Sequence, residues 1–109
     1  MLETLFGSVS KERIIFFIYA RGEGYPREIA RFFATGLTPI QRQLEALERG
    51  GILLSRLAGR TRLYMFNPRY PLLDELKALI EKAMAFYPEE ERERLLIDRR
   101  RPRRKDKPL

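Results

Sequence analysis

The side chains best suited to chemistry in this sequence are arginines and glutamines, which recur between residues 38 and 62. The chain has 22 Lys and Arg against 15 Asp and Glu, and it contains no His and no Cys. Without those two residue types it has no ordinary ligand set for zinc, haem or an iron–sulfur cluster, and no Ser–His or Cys–His dyad. We therefore expect no metal, no cofactor, no catalytic residues and no enzyme activity.

The arginines and glutamines begin on a helix that the sequence predicts over residues 38–49. Its start has the pattern of a capping box, because Thr38 is followed by Pro39 at the first helical position and by Gln41 three residues after Thr38. Gly50 is expected to end the helix. A helix over these residues determines which side chains lie on the same face.

One face of this helix is apolar and the other is polar. Ile40, Leu44 and Leu47 fall within a narrow arc, which predicts that they pack on a core. An α-helix fits the major groove of DNA, where Arg can pair with guanine and Gln with adenine. Residues 41–43 are expected to touch bases, since the start of such a helix reaches deepest. All the residues of this helix that are predicted to contact DNA are Thr38, Pro39, Gln41, Arg42, Gln43, Ala46 and Arg49.

A basic β-hairpin is predicted directly after this helix. Residues 52–57 and 61–66 are rich in apolar and aromatic side chains, and Gly59 lies in the connection. Tyr64 is expected to pack inside. The alternative to a binding role is that the charges only discourage edge-to-edge association of an exposed hairpin. The arginines predicted to contact phosphates or the minor groove are Arg56, Arg60 and Arg62.

Two helices are predicted before residue 38. The first runs to about Ala20 from an N-cap at Ser8 or Ser10, and the second covers residues 25–33. A tight turn then leads into the third helix, with Gly36 as its left-handed residue. Three short helices and a hairpin predict an α+β, mainly α fold: a winged helix-turn-helix with a three-helix core and a wing, followed by an additional C-terminal helix.

Residues 37–66 also resemble the ArsR-like winged-helix regulators. They share a recognition helix, a Leu-x-x-Leu pair, a glycine followed by an apolar residue, and a wing that ends in Arg-x-Tyr at Arg62 and Tyr64. The likeness extends over roughly residues 5–87, and the stretch 25–30 resembles the subgroup found beside nucleotidyltransferase domains. The resemblance implies sequence-specific binding of double-stranded DNA and transcriptional regulation, as a repressor. Family members that sense metals use Cys and His, so metal sensing is not expected.

Charge divides the chain into three segments. Residues 1–71 have 11 basic and 6 acidic side chains, a net +5, and are predicted to be the DNA-binding domain. Residues 72–98 have 4 and 8, a net −4, and are predicted to be a helical dimerisation segment. Residues 99–109 have 7 and 1, a net +6, and are predicted to be a disordered basic tail.

The dimerisation prediction depends on a fourth helix over residues 72–87. Its apolar stripe is wider than one small domain needs, and an acidic segment would be repelled by DNA. We therefore expect it to face away from DNA and to form a homodimer. Alternatively, the stripe packs on the core of its own chain. The predicted interface residues are Leu72, Leu76, Leu79, Ile80, Ala83 and Tyr87.

Two other functions are compatible with the same features. A winged helix can act as an interaction or adaptor module for a separately encoded enzyme such as a nucleotidyltransferase, and a basic wing can bind structured RNA. No membrane partner is expected, because the apolar run 14–20 is far shorter than the roughly 20 residues a bilayer span needs. The absence of a signal-type cleavage site after that run predicts a cytoplasmic protein.

Overall fold

Helices pack against a small antiparallel sheet in the computed structural model, which describes residues 1–96. The strand order in this sheet is β1 (Glu23–Gly24), then β3 (Thr61–Phe66), then β2 (Leu53–Ala58). The predicted mainly helical α+β fold, with a three-helix core and a hairpin, is confirmed. The elements in chain order are α1 Glu3–Phe6, α2 Val9–Arg21, β1 Glu23–Gly24, α3 Pro26–Phe32, α4 Leu37–Arg49, β2 Leu53–Ala58, β3 Thr61–Phe66, α5 Leu73–Met84, and α6 at residues 89–96.

The central element is α2. Of the two predicted N-caps, Ser8 is the one used, since its Oγ accepts a hydrogen bond from the backbone N–H of Lys11 at 3.1 Å. Every residue from Ile14 to Ile18 is at most 1% exposed. These side chains are covered on all sides because α4, α5, β1 and β3 pack around the same helix.

The turn between α3 and α4 differs from the prediction. Ala34 is the left-handed residue (φ 54°), whereas Gly36 is ordinary extended backbone (φ −68°, ψ 155°). The N–H of Thr35 bonds to the Ala30 carbonyl at 2.9 Å and that of Ala34 to the Arg31 carbonyl at 3.1 Å. This is a Schellman motif, which needs its left-handed residue directly after the helix. The prediction that Gly36 is left-handed is therefore wrong.

The start of α4 differs for a related reason. Because the chain turns at Ala34, it is already extended at Gly36, and the helix begins at Leu37 with Gly36 as its N-cap. Thr38 lies inside the first turn, so the predicted capping box at Thr38 and Gln41 is wrong. Glycine is tolerated at an N-cap because the position needs extended backbone more than it needs a side-chain acceptor.

A strand that the sequence did not predict, β1, pairs with β3. Glu23 lies opposite Met65 and Gly24 opposite Tyr64. Gly24 sits against the core so closely that an added Cβ would lie 2.8 Å from Cε1 of Phe17. The absence of a side chain thus allows the chain to return along β3 beside α2.

The hairpin forms as predicted, one residue later on its first strand. Pairing begins at Ala58 with Thr61 and continues to Leu53 with Phe66. Gly59, with φ 68°, occupies the two-residue connection. Since β3 is central, β2 forms the outer edge of the sheet.

The C-terminal part contains two helices, α5 and α6, separated at Pro88. The fourth predicted helix is shorter than residues 72–87, because α5 ends at Met84. Helix α6 packs on the core through Leu95, whose carbonyl accepts from Nε of Arg21 at 3.1 Å. The predicted basic tail at residues 99–109 lies outside the described residues. None of the helices described between residues 1 and 96 is long and apolar enough to cross a membrane.

Candidate nucleic-acid interface

The outer face of α4 is polar and exposed. Ile40, Leu44 and Leu47 are buried in the core as predicted, which turns the opposite side of the helix outward. Gln43 and Ala46 are half-buried and lie on the flank of that face. The exposed members of the predicted set are Thr38, Pro39, Gln41, Arg42 and Arg49.

Aromatic packing beneath α3 sets the position of α4. The ring of Phe17 meets that of Phe32 edge-on, with centroids 5.5 Å apart, and Phe33 packs edge-on against Phe32 at 4.8 Å. Such edge-to-face contacts are directional, so they hold α3 at a defined angle on α2. Because α4 packs on both α2 and α3, its exposed face is the outermost surface of this helical layer.

The three wing arginines do not share one surface. Arg56 lies opposite Leu63, and Arg62 lies opposite Leu57. Since opposite residues in an antiparallel pair project from the same face, Arg56 and Arg62 project from opposite faces of the hairpin. Arg60 lies at the exposed connection between the strands. All three arginines are exposed, but on different parts of the hairpin surface.

Arg62 is tied to α4 by a chain of hydrogen bonds. Its Nη1 donates to Oγ of Ser55 at 3.0 Å, and Ser55 Oγ donates to Oε2 of Glu48 at 2.8 Å. We call these three residues the wing clamp. Sequence reasoning missed Glu48 and Ser55. A signal was present, since Ser55 is a polar residue that lies between Leu53 and Leu57 on one strand face.

Tyr64 packs inside the sheet, as predicted. It lies opposite Ser55 and is 5% exposed. Burial raises the pKa of Tyr64, and the nearby carboxylates of Glu48 and Glu45 raise it further. The tyrosine is therefore part of the core and is not a surface contact.

The predicted dimer residues divide into two groups. Ile80 and Ala83 are buried within one chain, at 0% and 5% exposed. Leu76 is partly buried against the same core. Leu72 and Leu79 are exposed, at 57% and 37%. The side of α5 that remains for a partner is therefore narrower than the sequence suggested.

Tyr87, the sixth predicted dimer residue, also makes contacts within its own chain. Its ring stacks on Phe16 at 4.7 Å, and its hydroxyl donates to Oε2 of Glu12 at 2.6 Å. Glu12 is 4% exposed and also accepts from the backbone N–H of Leu2 at 3.1 Å. A cleft of about 400 Å³ opens beside Glu12. Among residues 1–96 no three acidic side chains gather in a way that could hold a metal.

Comparison with known proteins gives structural neighbours only. No protein-family model and no curated protein matches the sequence. A structure of Mb0332 from Mycobacterium bovis matches with a TM-score of 0.57 and 22% identity, over 82% of this chain and 80% of that one. It is described as a homodimeric winged helix-turn-helix DNA-binding domain of a possible ArsR-family transcriptional regulator. The chain has a winged helix fold similar to that of this domain.

Two further structures support this winged helix assignment. Reduced HlyU from Vibrio cholerae matches with a TM-score of 0.60 and 20% identity, over 79% of this chain and 84% of its own. A mutant of ZitR from Lactococcus lactis in its apo form matches with a TM-score of 0.55 and 17% identity, over 84% and 78%. In this winged helix α3 and α4 form the helix-turn-helix, and β2 and β3 form the wing.

Proposed function

We propose that the chain binds double-stranded DNA in a sequence-specific manner as a homodimeric transcriptional regulator. The observation that carries the proposal is the outer face of α4, where Thr38, Arg42 and Arg49 are exposed side by side. An α-helix of this kind fits the major groove, and arginine pairs with two acceptors of guanine. Repression is the simplest outcome, since a bound dimer blocks other proteins from the same DNA.

The two parts of the interface have different proposed roles. Arg42, near the start of α4, contacts bases and contributes sequence choice. Arg56 and Arg60 on the wing contact the sugar–phosphate backbone, which adds affinity without sequence choice. The net +5 of residues 1–71 favours approach to a polyanion, and the net +6 of residues 99–109 would add salt-dependent attraction.

Fluorescence anisotropy on a duplex selected from a random library tests this proposal. Arg42→Ala is expected to cost about 1–3 kcal/mol on the selected duplex and little on an unrelated one. Arg60→Ala should weaken binding to both duplexes alike. It should also reduce the salt slope, the slope of log Kd against log salt concentration, by about one ion. Lys82→Ala, an exposed cation on α5, serves as the matched control.

Complete lack of duplex binding by the folded protein at about 50 mM salt would refute the proposal, because phosphate contacts are strongest at low salt. The same titration with duplex and hairpin RNA distinguishes DNA binding from RNA binding, the alternative function. A preference for RNA over every DNA duplex would replace DNA binding by RNA binding.

The homodimer is proposed on the exposed part of α5. Leu72 and Leu79 lie there with Leu76 beside them, and the Mb0332 domain with the same fold is described as homodimeric. A two-fold dimer would present two α4 helices to half-sites about one helical turn apart. Light scattering over a concentration series checks the oligomeric state.

Leu79→Glu is expected to shift the protein toward monomer, because it introduces a charge into an apolar contact. Leu57→Glu, on the exposed wing, is the control with the same chemistry and should leave the dimer intact. A wild-type protein that stays monomeric at every concentration would contradict the dimer. The anisotropy titration would then measure DNA binding by the monomer, which tests the DNA-binding proposal separately from the dimer.

A further inference from the structure

We propose that the wing clamp fixes the angle between α4 and the wing, so that Arg62 is a positioning residue and not a phosphate contact. The inference rests on the proposed DNA-binding function. Glu48 belongs to α4, Ser55 to β2 and Arg62 to β3. One short chain of hydrogen bonds therefore links the helix proposed to read bases to both strands of the wing.

Each hydrogen bond of the wing clamp pairs one donor with one acceptor. A serine hydroxyl has one proton to donate and lone pairs to accept with. Ser55 uses the proton on the Glu48 carboxylate at 2.8 Å and accepts from the Arg62 guanidinium at 3.0 Å. Both bonds have a charged partner, which makes them shorter and stronger than bonds between neutral groups.

The clamp lies where the connection between α4 and the wing needs support. The helix ends at Arg49 with Gly50 as its C-cap, and Gly51 follows with φ 82°, so the joint itself is made of two glycines. Asn67 ties the joint from the other end, because its Nδ2 donates to the Gly51 carbonyl at 2.8 Å. The contact of Ser55 with Glu48 is farther out along the wing, where it resists rotation about the joint.

Because Glu48 is negatively charged, the change in DNA affinity on its removal distinguishes a clamp residue from an ordinary surface residue. An acidic side chain near DNA repels phosphates, so its removal alone should strengthen binding. In the clamp the carboxylate instead holds Ser55, which in turn holds Arg62. Loss of Glu48 is then expected to weaken binding, and the two mechanisms predict opposite signs for one substitution.

The test compares Glu48→Ala, Ser55→Ala and Arg62→Gln in the full chain. Each should weaken binding to the selected duplex about threefold to tenfold, which is the scale of one hydrogen bond, with an unchanged salt slope. Ser55→Ala and Arg62→Gln should be non-additive when combined. Glu45→Ala is the control, since Glu45 is an exposed carboxylate on α4 outside the clamp. It should leave binding unchanged or strengthen it.

Stronger binding to the selected duplex by Glu48→Ala overturns the inference, because removal of an acidic side chain that only repels phosphates has that sign. Two further outcomes also overturn it. One is that Arg62→Gln reduces the salt slope by about one ion while Ser55→Ala leaves the Kd unchanged, as a phosphate contact at Arg62 requires. The other is additivity of Ser55→Ala and Arg62→Gln in the free energy of unfolding measured with urea. The urea experiment needs no DNA, so a wild-type protein that binds no duplex refutes the proposed function separately from the clamp.

Discussion

Gly24→Ala tests how closely β1 lies against the core. An added Cβ would sit 2.8 Å from Cε1 and 3.1 Å from Cδ1 of Phe17, and 3.2 Å from Cδ1 of Ile29. Carbon atoms repel strongly at the shortest of these distances, since their optimal separation is about 3.5–4.0 Å. Phe17 and Ile29 are both 0% exposed, so neither can move into solvent.

Overpacking of a well-filled core costs about 1–3 kcal/mol, and we expect Gly24→Ala to cost about 2 kcal/mol. For a domain near 100 residues, about 2 kcal/mol lowers Tm by roughly 8–16 °C. Urea unfolding followed by circular dichroism and a thermal scan measure both quantities. The β1–β3 pairing beside Tyr64 should loosen as well, which amide hydrogen exchange reports.

Gly36→Ala is the matched control. Gly36 has ordinary extended backbone, and its added Cβ would meet only Cδ of Pro39 at 3.6 Å, so no overpacking arises. Alanine is a poorer N-cap than glycine but restricts the unfolded chain, and because these effects oppose each other we expect a change within about 1 kcal/mol. Phe17→Leu combined with Gly24→Ala should cost less than the sum of the two changes, because the smaller side chain makes room. If Gly24→Ala unfolds at the same urea concentration as the wild type, the packing of β1 on Phe17 is refuted.

Two further substitutions test the turn and the C-terminal contact. Ala34→Gly should raise the free energy of unfolding measured in urea by about 0.5–1 kcal/mol, because relief of left-handed strain exceeds the added entropy of the unfolded chain. Ala78→Gly, at an exposed position of α5, is the control and should lower the free energy of unfolding by about 1 kcal/mol. A change of the same sign in both variants would contradict the Schellman turn. Burial and the bond to Glu12 raise the pKa of Tyr87, so its contribution to stability is complete below the ordinary value of 10.0 and is lost as pH rises above it. Tyr87→Phe should therefore cost about 1–3 kcal/mol at neutral pH and flatten the fall in stability above about pH 10, and an unchanged alkaline profile would contradict this.

The apolar periodicity of α4 was predictable because it depends on local spacing alone. Ile40, Leu44 and Leu47 can share one buried face only in a helix, and that choice also fixes the outward face. The hairpin was predictable for a similar reason, since Gly59 separates two apolar and aromatic runs.

The turn before α4 was not predictable from residue preferences. Glycine adopts a left-handed conformation most easily, yet the Schellman motif placed Ala34 there and left Gly36 extended. Strand β1 gave no pattern to detect, because two residues have no periodicity. Its existence depends on Gly24 reaching β3 across the fold.

For the site residues, too, the sequence predicts the character of a side chain but not its position in the fold. The sequence identifies Arg56 and Arg62 as exposed cations of a hairpin, but strand register decides that they project from opposite faces. Likewise, the stripe of α5 reveals apolar character but not what covers it. Ile80 is covered by its own chain and Leu79 is not.

The position of β1 has a consequence for the motion of the wing. Because β1 pairs only with Met65 and Tyr64, the base of the wing is three strands wide and the tip around Gly59 is two strands wide. Opening the base requires separation of β1 from the core, whereas the tip can fray once the outermost hydrogen bonds between β2 and β3 break. The base amides should therefore exchange with solvent only on global unfolding, while the tip that bears Arg60 adapts to a curved surface at low free-energy cost.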